Sequence, residues 1–412
     1  VEEVSADVDI DYDLNFDSVE EIIDSTTIPY DIQNLWLNTD VSLDLRQYAP
    51  LNRGIIRSKE HPDSIKETRK VILNADHPLE SRPVLTKWVF EEHRSITGRL
   101  FSKLQLRNPV KTISTTERVK RFVRTYFEDS FVPFDQLGQT LDVDAFETML
   151  WISKRKDGLK ISQELNNLLT DELGLLPLNA INIHLKLESL MKENPIMHWG
   201  QHQARAIYWQ RKAIAALSSP VFLKVKDRFK NSLRSKYVYA DGMTPMELTY
   251  KTRQTMGVKN FFENDLSKQD RQTDKPLIDV EMKLYSLLGV SPTMLTWWRT
   301  MHENWSFKAR WNKGAASEMR LTGQSTTSLG NVITNMQVHN DLLELHKDIV
   351  KLVLFLGDDL LALTTEPINV DKLAKYTREC HNMSSTSFQS PDCGLFCCMI
   401  AYRNGQGGVD LG

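Results

Sequence analysis

An α+β fold, helix-rich overall, is what the sequence predicts, and three observations predict it. Apolar residues recur at helical spacing over long stretches, most clearly 325–345 and 275–288. Short apolar runs with strand character stand between them: 261–266, and 352–363, which reads LVLFLGDDLLAL with Gly357 as its turn. No internal repeat is found, so the 412 residues describe several domains or one large lobed one with a sizeable core. Hydrophobic residues make up 41% and charged residues 25%, the balance of a globular chain. No apolar run reaches the roughly 20 residues that a membrane helix needs. Four cysteines, all near the C-terminus, argue against a disulfide scaffold and for a reducing compartment.

In order along the chain, residues 1–31 are acidic and aperiodic, begin without Met, and read as a flexible arm of a longer precursor. From 35 to 177 helices dominate, as at 84–104 and 119–131. INIHLKLESL at 181–190 alternates for several residues, more like a strand. Residues 204–236 read as a helix after a short extended lead-in. The spacing then predicts helices over 275–288 and 292–302, with Gly289 as the stop between them. Turn chemistry at 312–314 suggests a hairpin within 307–319. A long helix over 325–345, a hairpin over 352–363 and a helix over 370–380 complete the described pattern.

The net charge of −3 hides an uneven distribution. Residues 1–28 hold ten Asp or Glu and no Lys or Arg, which leaves 51 basic against 44 acidic groups over the rest. Within 203–236 there are nine Lys or Arg and one Asp, interleaved with Tyr208, Trp209, Phe222 and Phe229. That pattern suits a phosphate-rich partner, although taken alone it reads more readily as a solvated amphipathic helix.

The carboxylates pose a sharper question. Asp358 and Asp359 interrupt an apolar run, where an isolated buried charge would be very costly. A surface turn is the plain explanation, and a hairpin that presents carboxylates to a divalent cation is the other. Asp265 follows Phe261–Phe262 where a strand leaves a sheet, and Asp270 lies five residues on. If the two segments pair, Asp265 and Asp358 can face one another. Hard oxygen ligands from separate elements are what Mg²⁺ uses, with its remaining positions left for water and phosphates. A third segment, RLTGQSTTSLGNVITN, sets Thr322, Gly323, Thr327 and Asn331 at regular intervals. Gly323 permits a loop that a Cβ would block, 325–327 offers capping hydroxyls, and Thr327 and Asn331 share a helix face.

In this order the three segments resemble motifs A, B and C of viral RNA-dependent RNA polymerases: D-x4-D (Asp265…Asp270), [S/T]-G-x3-T-x3-N (Thr322-Gly323…Thr327…Asn331) and GDD (Gly357-Asp358-Asp359). The likeness is closest to the alphavirus-like supergroup of positive-strand RNA viruses, with its virga-, clostero- and endornavirus-type replicases. INIHLKLESLMKEN and QARAIYWQRKAIAALSSPVF resemble that group's basic motif F, and CGLFCCMIAY its motif E. The resemblance covers 181–402. It implies a right-hand polymerase fold with fingers and palm, an antiparallel palm sheet flanked by helices, and most of the thumb missing. The divisions it suggests are 1–34 as the acidic arm, 35–180 as an index-finger extension and 181–255 as fingers. They continue with 256–380 as palm and 381–412 as the motif D/E region and the start of a thumb.

The same resemblance implies RNA-directed RNA synthesis from NTPs. Asp265, Asp358 and Asp359 would hold Mg²⁺, with Mn²⁺ as a substitute. Asp270 and Asn331 would read the ribose 2′-hydroxyl, Thr327 would support them, and Gly323 would let its loop flex. Lys186, Lys192, Arg205, Arg211 and Lys212 are the candidates for triphosphate and template contacts, with Arg211 and Lys212 foremost. RNA, NTPs and other viral replicase proteins are the implied partners, and membrane-associated complexes in the host cytoplasm the implied location. Two departures stand out: HNMSSTSFQ offers Ser385 or Thr386 where the family has a motif D lysine, and Leu-Ser-Lys-Gln follows Asp265 without an aromatic residue. Lys372 or Lys375 could substitute for that lysine.

Other clusters read more plainly. Cys380, Cys393, Cys397 and Cys398 lack paired C-x2-C knuckles and read as small buried hydrophobes rather than a zinc site. Trp297, Trp298, Trp305 and Trp311 read as core, and His184, His198 and His202 as satisfied polar groups. Three functions compete: an active RNA-templated RNA polymerase, a DNA-synthesising palm enzyme, and a weak or inactive polymerase-like RNA-binding subunit. Ribose-reading groups disfavour the second, and the complete carboxylate set disfavours the third.

Overall fold

A computed structural model describes residues 56–58, 89–101, 106, 108, 112–170, 179–186 and 205–412. The acidic segment 1–34, Lys192, His198, His202 and parts of 35–180 lie outside the described residues. In chain order the elements are β1 (Ile56–Ser58), α1 (Val89–Leu100), α2 (Thr115–Tyr126), α3 (Ala145–Ser153), α4 (Gly158–Thr170), β2 (Ala180–Leu185), β3 (Ala206–Gln210), α5 (Lys212–Ser232), β4 (Tyr237–Tyr239), α6 (Pro245–Arg253) and β5 (Asn260–Leu266). They continue with α7 (Gln269–Gln272), α8 (Lys275–Leu287), α9 (Pro292–Met301), β6 (Asn304–Lys308), β7 (Asn312–Ser317), α10 (Thr327–Leu345), β8 (Val350–Leu356), β9 (Asp359–Thr364), α11 (Val370–His381), β10 (Ser385–Ser390), β11 (Cys393–Phe396), β12 (Met399–Arg403) and β13 (Val409–Leu411). Helices and sheets are thus mixed, as an α+β chain requires.

Among the described residues the strands form three sheets, ordered β1-β7-β6-β2-β3, β10-β5-β9-β8-β4 and β11-β12-β13. The second sheet explains the apolar run around the aspartates. Leu352–Phe355 and Leu360–Leu363 are buried throughout, because β8 and β9 are covered on both faces. On one face Phe262, Val353, Phe355 and Ala362 meet Phe122 and Tyr126 of α2, Phe229 of α5, Tyr285 of α8 and Met336 of α10. On the other, Phe261, Leu354, Leu361 and Leu363 meet Phe396, Ala401 and Val409 of the third sheet. The two sets alternate along each strand, as side chains on a pleated backbone must.

Most element boundaries follow local chemistry. Gly289, at φ +93°, ends α8, and Ser291 caps α9 with its hydroxyl accepting from Met294 N. The turn expected at 312–314 is instead strand: Gly314 in β7 pairs with both Phe307 and Ile56, and the hairpin turns at 309–311. Glu92 decides this, since its Oε1 accepts from Trp311 N, Asn312 N and Asn312 Nδ2 at 2.8, 3.1 and 2.9 Å. The tryptophans expected in the core divide, with Trp298 and Trp305 fully buried and Trp297 and Trp311 only partly so.

Candidate active site

Asp358 belongs to a two-residue turn. Leu356 pairs with Asp359, and Gly357 between them has φ +61° while Asp358 keeps a negative φ, the pattern of a II′ hairpin. The turn lies at one end of two central strands of the sheet, and both aspartates are exposed. β5 runs antiparallel to β9, with Glu263 opposite Leu361, so Asp265 emerges at the same end of the sheet. The charges of Asp359, Asp270 and Asp265 all reach the Asp358 carboxyl, which is raised above the ordinary carboxylate range by burial first and then by those three. The plain explanation holds, since the aspartates occupy a surface turn, and the charges of Asp265 on β5 and of Asp270 reach that turn.

Asp270 reaches the group from α7, a single helical turn entered through Lys268 in the left-handed region at φ +50°. Its carboxylate accepts from Asn331 Nδ2 at 3.0 Å. Burial pushes the Asp270 carboxyl up, against the Asn331 bond and the charges of Arg320, Arg205 and Arg99. The other amide atom, Asn331 Oδ1, is buried without a hydrogen-bond partner among the described residues, as is the phenol oxygen of Tyr208 nearby on β3.

The glycine of motif B has a specific packing reason. Gly323 N donates to Tyr208 O at 2.8 Å, Tyr208 N donates to Thr322 Oγ1 at 2.8 Å, and Gly323 bridges Trp209. A Cβ on Gly323 would lie 3.0 Å from Trp209 Cβ and 3.1 Å from Tyr208 O. Close backbone approach is thus what excludes a side chain here. Thr327 does not cap the helix as expected. Its hydroxyl donates to Leu321 O at 2.6 Å and accepts from Gln324 N at 2.9 Å, closing the loop on itself. Ser325 bonds Ser218 and Ser219 of α5 at 2.7 and 3.0 Å.

The basic candidates separate. Arg205 is the one whose charge acts on Asp270. Lys212 is paired with Asp157, and Arg211 acts on Glu164 of α4, so both sit on the side of that helix. Lys186 is exposed at the end of β2, where its N–H donates to Arg205 O at 2.7 Å. His184 accepts from Trp209 Nε1 at 3.0 Å, a satisfied polar group.

Thr386 of β10, one of the two residues offered in place of a motif D lysine, lies opposite Asp265. Sequence reasoning missed Asn335. Asn335 of α10 donates from Nδ2 to the carbonyls of Gly357, Asp358 and Asp359 at 3.3, 2.9 and 3.3 Å. Its signal was its spacing, one helical turn beyond Asn331. The reading of the cysteines as buried holds for Cys380 alone, since Cys393 and Cys398 are exposed and Cys397 is half-buried. Cys397 and Cys398 form the β11–β12 turn with φ +51° and +65°. Burial, and then a hydrogen bond to Asp359, push the Cys397 thiol up to about 12.

The donor set suits a hard divalent cation: exposed carboxylate oxygens that repel one another until a cation neutralises them. Among the described residues no three Asp, Glu, His or Cys side chains form a ready-made metal cluster. Mg²⁺ accepts sites with few carboxylates, keeping water and phosphate oxygens as its other ligands.

An exposed hairpin turn with an acid from the neighbouring strand, beside a glycine loop that opens a helix, defines a class of nucleotide-handling site, and the comparisons agree. A family model described as RNA dependent RNA polymerase matches residues 94–400. The chain is 32% identical to the RNA-directed RNA polymerase 2a of Olive latent virus 2 over 167 residues, 40% of this chain and 21% of that protein. It is 26% identical to the 2a polymerase of Tobacco streak virus (50% and 26% covered) and 28% identical to replicase polyprotein 1ab of Beet yellows virus (47% and 6%). The chain belongs to the RNA-dependent RNA polymerase family, within the alphavirus-like supergroup. It spans about a quarter or less of the length of these curated relatives.

Proposed function

We propose that this chain is the catalytic part of an RNA-directed RNA polymerase, with the palm at 256–380 and the fingers at 181–255. One observation carries the reading: acids from two separate segments, Asp265 and Asp270, act on Asp358 at an exposed turn. The reaction is attack of a primer 3′-hydroxyl on the α-phosphate of an NTP. An O–P bond forms, the bond to pyrophosphate breaks, the hydroxyl loses its proton and pyrophosphate gains one. Divalent cations, Mg²⁺ or Mn²⁺, held by Asp265 and Asp358 with Asp359 assisting, would neutralise charge on the attacking and leaving oxygens. The protein's own share is positioning. Asp270 fixes one end of the Asn331 amide, and the other end, Oδ1, is the acceptor to which a ribose 2′-hydroxyl would donate. Arg205, whose charge reaches Asp270, is the first candidate for the triphosphate, with Lys186, Arg211 and Lys212 as further candidates for triphosphate and template contacts. RNA, NTPs and other replicase proteins on cytoplasmic membranes complete the setting.

The test is primer extension with Asp358→Asn, with EDTA added to the wild type as a second arm. Incorporation should fall by at least a thousandfold in both, while RNA affinity and the unfolding midpoint stay close to wild type. Full incorporation by Asp358→Asn would remove the catalytic assignment. Loss of RNA binding in the variant would favour the RNA-binding-subunit alternative.

A further inference from the structure

The face of α10 that carries Asn331 continues through Asn335 to His339, and each of the three contacts a different element of the site. Asn331 holds Asp270 and Asn335 holds the hairpin turn. His339 Nε2 accepts from Asn264 Nδ2 at 2.7 Å, and Asn264 immediately precedes Asp265. Positions four and eight residues apart stack along one helix face, so a single rigid rod spaces all three contacts.

The turn needs such a hold. The β8–β9 ladder ends at Leu356–Asp359, so the carbonyls of Gly357 and Asp358 have no ladder partner beyond it. Both aspartate side chains are exposed and carry like charge, and Asp265 and Asp270 add to the repulsion. A hairpin tip under those forces has every reason to swing outward. Asn335, fully buried, sets one amide nitrogen against three consecutive carbonyls, with the shortest bond to Asp358. Neither an acid nor an apolar side chain at this position could donate to them.

Behind it the chain of bonds has one direction. His339 is buried and neutral, its Nδ1–H donates to Asn335 O at 2.8 Å, and its Nε2 is then the acceptor for Asn264. Asn264 Oδ1 in turn accepts from Ser387 Oγ at 2.8 Å. Every link is side chain to fixed partner, and the chain spans β10, β5, α10 and the turn.

We infer that Asn335 is a positioning residue that clamps the backbone of the 357–359 turn, and that with His339 and Asn264 it sets the separation between the Asp358 carboxylate and Asp265. This rests on the polymerase reading of the hairpin, and the two can fail separately. The experiment compares wild type, Asn335→Asp and Asn335→Ser in the full-length protein, with Asp358→Asn as the control. Asn335→Asp keeps the shape and replaces the donor by an oxygen facing three carbonyls, whereas Asn335→Ser shortens the donor without adding charge. Two readouts are taken: kcat and KM for NTP in primer extension, and amide hydrogen exchange of the peptide 350–364.

Exchange at 357–360 should quicken at least tenfold in both variants, with α2 and α5 unchanged. At the same time kcat should fall about tenfold in Asn335→Ser and about a hundredfold in Asn335→Asp, with KM for NTP and RNA affinity within twofold of wild type. If Asn335→Asp fails to fold, Asn335→Ser decides alone. Wild-type exchange at the turn overturns the inference, and so does faster exchange with unchanged kcat, which leaves a purely structural role. Activity retained by Asp358→Asn overturns the catalytic assignment of the hairpin instead, while the exchange data still judge the clamp.

Discussion

If the chain is a polymerase as proposed, Asn331 is the residue at which substrate choice would be decided. Its Nδ2 is committed to Asp270 at 3.0 Å, which orients the amide and leaves Oδ1 buried without a partner among the described residues. A buried acceptor in that state costs about 1–3 kcal/mol until something donates to it, and a ribose hydroxyl can where a deoxyribose cannot. Asn331→Ala should therefore narrow the preference for NTP over dNTP by roughly five- to 150-fold, the same energy expressed as a ratio. Competing the two substrates on one template measures it, and an unchanged ratio would take Asn331 out of the ribose role. Asp270→Ala should move the ratio in the same direction, because the amide then loses its fixed end.

The elements around the site are braced by one buried ion pair. Arg320 and Glu281 are 1% and 0% exposed and make two hydrogen bonds, and Tyr285 Oη donates to Glu281 Oε1 at 2.6 Å. The Arg320 N–H donates to Asp270 O at 2.9 Å, so the pair ties α8 to the loop before α10 and to Asp270 itself. Gly330 makes room for it, since a Cβ there would lie 2.1 Å from Arg320 Nη1. Removing one partner leaves a buried charge uncompensated, at a cost of about 3–5 kcal/mol. Glu281→Ala should lower the free energy of unfolding by about that amount in urea titration, and Gly330→Ala should destabilise as well by displacing the guanidinium. Periodicity and glycine stops made β5, the 350–364 hairpin, α8, α9 and α10 legible in sequence, and the A–B–C order made the carboxylates and the Asp270–Asn331 pair legible with them. What stayed hidden depends on partners distant in sequence. Nothing near 312–314 announces Glu92, more than 200 residues upstream, and nothing near Arg320 announces Glu281. The cysteines misled because a turn with two left-handed residues is an unexpected place for them.

Over the whole molecule, charge is spent internally more than composition suggests. Of the nine basic residues within 203–236, Lys212 pairs with Asp157, Lys224 with Glu147, Lys226 and Lys230 with Asp241, and Arg234 with Asp129. Arg228 lies over the Phe134 ring and donates to Gln139 O and Leu288 O. The contribution of 203–236 to the salt slope of RNA binding should thus fall well short of the roughly −6 that nine phosphate contacts would give, which neutralising the segment's basic residues and comparing log K against log salt would measure. Acid should act on the fold through two buried histidines. Burial lowers both His302 and His339 to about 4, well under the ordinary 6.5. The unfolded chain takes up protons near pH 6.5 while the folded chain refuses them down to about pH 4. Their stability contribution is therefore complete above pH 6.5 and is lost as pH falls toward 4, by roughly 3 kcal/mol for each. His302 stacks among Trp298 and Trp305, whereas His339 bridges Asn335 and Asn264. His339→Gln should lessen the acid-linked slope in urea midpoints between pH 6.5 and 4.5, with His302, and with His93 and His346, which burial also lowers, carrying what remains. A variant whose slope equals wild type would show that some other group carries the proton uptake.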